Sequence, residues 1–238
     1  MSLKIGWCLS AEDAKIAFDP PVEFNPPKER SGKGLSFLSC PAVRSYFDGI
    51  FVISSPFSIR LRFIKEDEFI SIKPVYPFTS LSEFKFRELV TIEPLETWSN
   101  SHTVVLQIPS PYLFFADTPA FIEQFHPSLV TSTAMNWRVI PGKFDIYSWQ
   151  RPLNWAIQWD TSLGDLIIRS GEPIYFVKFT DGNNKLVSVE LVECEMTKEI
   201  NERLLLSRGI TSIRKGVTPL ITKAGNNRNG LTLINNND

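Results

Sequence analysis

Phe57-Ser58-Ile59-Arg60-Leu61-Arg62-Phe63 is the stretch that decides the class of fold. Four apolar side chains alternate with Ser58, Arg60 and Arg62. A period of two belongs to a strand with one face on a core and the other in water. On either side the chain keeps producing short pieces of the same kind. Segments 103–108 and 112–115 are more continuously apolar, with Pro109-Ser110-Pro111 turning the chain between them. Further strands are predicted over 129–138, 144–148, 153–159, 165–169, 174–179 and 185–192. Asp181-Gly182-Asn183-Asn184 reads as a hairpin turn, because Gly and Asn tolerate positive φ. Short strands at roughly ten-residue spacing predict a mainly β fold, a two-sheet sandwich or jelly-roll-like barrel.

Helix is expected in two places. Pro41 to Phe47 can form one or two turns. The stronger case begins at Thr197 as N-cap, with Met196, Ile200 and Leu204 spaced by four, Glu199 and Arg203 paired at i,i+4, and Gly209 as the stop. Such a terminal helix is expected to cover an exposed sheet edge or open end. Towards the N-terminus, Asp19-Pro20-Pro21 and Asn25-Pro26-Pro27 deny helix and predict an extended arm lying on the body. Residues 1–215 therefore read as one β-rich domain with a Pro-rich arm. Residues 216–238, ending in Asn235-Asn236-Asn237-Asp238, read as a polar, mobile tail.

Composition excludes several classes. Hydrophobic residues make up 43% and charged residues 21%, which fits a chain able to build a core rather than a disordered one. The formal charge of −1 gives no overall field to attract nucleic acid or an acidic membrane, although basic residues outnumber acidic ones after Lys198. No apolar run reaches the ~20 residues of a membrane span. Glu12, Asp13 and Lys15 interrupt the N-terminal apolar stretch too early for a secretory signal. Cys8, Cys40 and Cys194 are widely spaced and odd in number, as expected of reduced thiols in the cytoplasm.

The chemistry-bearing motifs are few. His102 and His126 share no metal-ligand spacing, so neither metal nor other cofactor is expected. No nucleophile elbow, P-loop or dinucleotide fingerprint is present, and no catalytic residue is assigned. Asp117 and Glu123 are a carboxylate pair with nothing beside them to support glycosidase chemistry. The densest segment is Trp149-Gln150-Arg151-Pro152-Leu153-Asn154-Trp155-Ala156-Ile157-Gln158-Trp159. Alternation puts Leu153, Trp155, Ile157 and Trp159 on one face, which reads as core. The functional alternative is a pocket in which Trp149 or Trp155 stacks a planar or sugar ring while Asn136, Arg151 and Asn154 hydrogen-bond it. Arg138 and Glu172 complete the candidate ligand-binding set. The structural expectation for them is a buried tie from Glu172 to Arg138 or Arg151.

Met135-Asn136-Trp137-Arg138 followed by Gly171-Glu172-Pro173-Ile174-Tyr175-Phe176 resembles an uncharacterised family of small β-rich proteins of bacteria and tailed phages. Cys40-Pro41-Ala42-Val43 leading into Ser55-Pro56-Phe57 is similar to that family's first half. The likeness covers 40–63 and 131–179, and this chain departs from it by inserting the 149–159 strand. The resemblance implies no activity. Absence of catalytic signatures and the basic C-terminal segment together favour a non-catalytic binding or assembly protein that acts through a protein partner or self-association. The alternative is a cupin-like enzyme or a carbohydrate- or small-molecule-binding module using the 149–159 region.

Overall fold

In the computed structural model, which describes residues 2–10, 17–26, 40–66, 69–94, 100, 102–128, 135–152 and 154–213, the alternating stretch is the strand β4 (Ile59–Glu66). Ile59 and Leu61 are fully buried, while Phe57 and Phe63 pack partly buried against the same core. The outward arginines are not idle. Arg60 Nε donates to Asp165 Oδ2 at 2.7 Å, and Arg62 Nε and Nη2 donate to its two carboxylate oxygens at 3.2 and 3.0 Å. Asp165 thereby ties β13 (Leu166–Ile168) to β4, and the two guanidiniums hold its carboxyl below the ordinary range.

The remaining elements in chain order are β1 (Leu3–Leu9), β2 (Val22–Glu23), α1 (Pro41–Phe47), β3 (Ile50–Ser54), β5 (Phe69–Pro74), α2 (Glu83–Leu89), β6 (Thr91–Ile92), β7 (Thr103–Ile108), β8 (Tyr112–Phe115), β9 (Ala120–Phe125), β10 (Trp137–Val139), β11 (Gly142–Asp145), β12 (Trp155–Asp160), β14 (Pro173–Asp181), β15 (Val189–Glu193) and α3 (Lys198–Ile213). Hydrogen bonds arrange the strands as β15-β1-β8, β10-β12-β7-β6, β11-β9-β14-β3-β2 and β13-β4-β5. The fold is mainly β and sandwich-like, with a helix near its C-terminal end. The described strands form four hydrogen-bonded sheets. Among the described residues none of these sheets closes on itself, so the barrel alternative is set aside.

All four sheets contribute to one core, which includes Ile5, Ile53, Leu61, Leu106, Trp155 and Trp159. Two sheets are covered on their outer faces as well. Behind β15-β1-β8, Cys8, Leu113, Phe115 and Cys194 pack against Ile200 and Leu204 of α3. Behind β3 and β14, Phe176 and Ile50 pack against Phe47 of α1 and Phe24 of the arm. Burial on both faces explains why β8 and much of β14 read as continuous apolar runs instead of alternating. In the described part of the arm, Phe24 packs on the cluster of Phe47, Ile50 and Phe176, and the ring of Phe18 meets Tyr112 and Phe57 edge-on.

Three expectations need correction. Thr197 does cap α3, its Oγ1 accepting from the Ile200 N–H, but the helix runs past Gly209 to Ile213. An interior glycine costs a helix only about 1 kcal/mol, too little to end one. The turn at Asp181–Asn184 forms, with Asn184 at φ 61° and the Asp181 carboxylate accepting from the Asn183 and Lys185 N–H groups. The hairpin does not follow it: after a single bridge from Thr180 to Leu186, β15 leaves to pair in parallel with β1. A Cβ on Gly182 would lie 2.7 Å from the Pro119 Cβ, so the turn depends on its smallest residue. Lastly, the strand expected at 144–148 sits earlier, at Gly142–Asp145, because Asp145 Oδ1 accepts from Tyr147 and Ser148 and closes a turn. Most of the strand expected at 129–138, and the tail 216–238, lie outside the described residues.

Candidate functional site

At one end of the sandwich, where β1, β7 and β12 begin or stop, the chain leaves an apolar cleft of about 530 Å³. Its walls are Phe18 from the arm, Phe57 before β4, Leu81 ahead of α2 and Leu89 at its last position, and Ile108 with Pro109 and Pro111 at the β7–β8 corner. The two prolines lack N–H groups and stop strand pairing there, which leaves the corner open. The short helix α2 holds the opposite wall: Ser82 caps it by accepting from the Lys85 N–H, and Phe86 fastens it to the core. Beneath, Phe18 and Phe57 rest on Trp155 at ring separations of 6.5 and 5.9 Å.

The polar groups are few. Ser110, buried, has its Oγ 3.3 Å from the hydroxyl of Tyr175, whose pKa burial pushes up to about 12. Asn154 Nδ2 donates to Gln107 Oε1, and Gln107 Nε2 donates in turn to Glu93. Arg151 lies at the cleft with its guanidinium centre 4.9 Å over the ring of Trp149. Burial lowers its pKa from the usual arginine value, although a guanidinium stays charged in a protein.

The structure divides the six residues singled out in the sequence. Arg151 and Asn154 meet at the cleft, with Trp149 stacked beneath Arg151. Asn136 and Arg138 lie elsewhere, beside a polar hollow of about 330 Å³ that also borders Thr103 and Asp160. Both are engaged: Asn136 Nδ2 donates to the carbonyls of Gly164 and Asp165, and Arg138 Nε donates to Gln158 across the strand pair. Glu172 corrects the expected buried tie. It pairs with Arg169 at 3.2 Å in a surface turn and accepts from the Arg169 N–H, because Gly171 at φ 80° folds the chain back within three residues. Trp155 is core and fully buried, not a platform.

Among the described residues no three His, Cys, Asp or Glu side chains gather where they could hold an ion. Glu123 lies opposite Lys143 and Lys178 in the sheet, a cross-strand charge match rather than half of a catalytic pair. His126 takes a structural place: its Nδ1 accepts from the Val139 N–H at 3.3 Å, and its ring packs edge-on against Trp137. Desolvation first, and then the charge of Arg138, lowers its pKa from 6.5. The unfolded chain therefore binds this proton more readily. Stability is fully present above pH 6.5 and falls on acidification until the folded group also titrates. The slope should reach at most about 1.4 kcal/mol per pH unit. Urea unfolding between pH 7.5 and 5 is expected to show it, and His126→Gln to flatten it. An unchanged slope in that variant would locate the titration elsewhere.

No protein-family model, curated protein or solved structure matches this chain.

Proposed function

We propose that this is a non-catalytic binding protein whose working site is the cleft at the strand ends, and that its ligand is a small, largely apolar molecule. The observation that carries this reading is the cleft itself. Its volume lies in the range of small-molecule sites, and its apolar walls carry only a few polar groups. No His, Cys, Asp or Glu is among the described residues that line it, so among these Ser10 and Ser110 have no imidazole or carboxylate to act as a base. This favours the small-molecule alternative over the expectation of protein contacts.

Nile red, an uncharged apolar dye, tests the reading. Wild-type protein should bind it with a blue shift in emission. Leu89→Trp, which places an indole in the cleft from a half-buried position, should weaken binding at least tenfold while leaving the thermal midpoint within a few degrees. Equal binding by the two proteins would remove the cleft as the site.

A further inference from the structure

We propose that the ligand of this cleft is an amphipathic carboxylic acid, its apolar body lying between Phe18, Phe57, Leu89 and Ile108 and its carboxylate paired with Arg151. The inference rests on the cleft being a small-molecule site, and it adds the chemical class of the ligand.

Several other arginines of this chain have a carboxylate partner, whereas Arg138 has the Gln158 amide. Arg203, 7% exposed, donates to Glu199 at 2.6 Å. Arg60 and Arg62 share Asp165, and Arg169 has Glu172. Arg151 is half-buried and pairs with no carboxylate of the described residues. What it has is the face of Trp149. Stacking uses the flat side of a guanidinium and leaves its in-plane N–H fork available, which is the geometry that matches a carboxylate bidentately. A cation withdrawn from water and left without a counter-ion is costly, and an anion arriving in the same apolar setting relieves that cost. The burial that lowers the Arg151 pKa points the same way. The walls then select the rest of the molecule. They offer aromatic and aliphatic surface, with Ser10, Ser110 and Asn154 as the neutral polar groups, so a long polar or multiply charged acid finds few partners among the described residues.

Decanoate and decanol, which share a chain and differ in the head group, separate this inference from the reading beneath it. Both are titrated calorimetrically below their aggregation concentrations against the full chain. Decanoate should bind at least tenfold more tightly than decanol, and raising the salt concentration should narrow the gap. Arg151→Gln should abolish the preference by weakening decanoate alone. Decanol binding as tightly as decanoate would overturn the carboxylate assignment and leave the apolar cleft standing. Failure of both ligands to bind would overturn the two together. An Arg151→Gln protein that loses both ligands equally would show that Arg151 only shapes the cleft, and this also overturns the assignment. Should that variant not fold, the wild-type preference and its salt dependence decide alone.

Discussion

Trp155→Ala is expected to lower the unfolding free energy by about 3–5 kcal/mol, the cost of emptying an aromatic-sized volume inside a packed core. The indole is fully buried, with Phe57, Phe18 and Tyr175 around it at ring separations of 5.9, 6.5 and 6.1 Å. These neighbours come from three separate parts of the chain, so no single movement can close the hole. Trp159→Ala should cost a similar amount and also leaves the Gly164 carbonyl without the indole N–H that donates to it at 3.0 Å. Thermal and urea unfolding measure both. A Trp155→Ala protein within about 1 kcal/mol of wild type would show that the site collapses readily and that the core is less tightly packed than its geometry indicates.

The second large effect is expected at α3. Ile200 and Leu204 are buried against the outer faces of β1, β8 and the chain just beyond β15, where they cover Cys8 and Cys194. Burial also pushes the Cys194 thiol pKa up, which keeps it unreactive. In native protein a thiol reagent should label exposed Cys40 promptly and the other two slowly. Each large-to-small change at Ile200 or Leu204 costs about 2–5 kcal/mol. If even about 2 kcal/mol of that goes into local opening of the helix, labelling of Cys8 and Cys194 speeds up roughly 30-fold. Trp155 and Trp159 belong to the central core, so their emission should stay native while this happens. Unchanged labelling in Ile200→Ala/Leu204→Ala would mean that the helix does not shield the sheet.

The same residues show what a sequence can and cannot reveal. Trp155, Ile157 and Trp159 alternate with polar neighbours, and period two alone places their side chains inward. The spacing of Ile200 and Leu204 likewise marks the buried stripe of α3. By contrast, α2 was not legible. Phe84-Lys85-Phe86 mimics a strand, and only the structure shows Phe86 buried and Phe84 75% exposed on a helix. The cleft was half legible. Arg151 and Asn154 stand out through their aromatic neighbours. Phe18, Phe57, Leu81, Leu89 and Ile108 carry no common pattern, because they meet only through the ends of distant elements. Arg60 and Arg62 read as a solvated face for a related reason: their partner Asp165 lies about a hundred residues on.

The parallel pairing of β1 with β15 sets Leu3 opposite Val189 and Trp7 opposite Glu193. During synthesis, then, β1 emerges well before β15 and must wait for it before both its edges are satisfied. Its antiparallel partner β8 arrives sooner, so β1 and β8 can form a two-stranded ribbon that keeps one apolar edge open until Val189–Glu193 emerges. Such distant pairing makes folding slow, because loop closure must precede the contacts that reward it. An interrupted chain that stops short of Val189 presents that edge to its neighbours. Truncated products should therefore collect in the insoluble fraction, where an unpaired strand finds a template in another molecule.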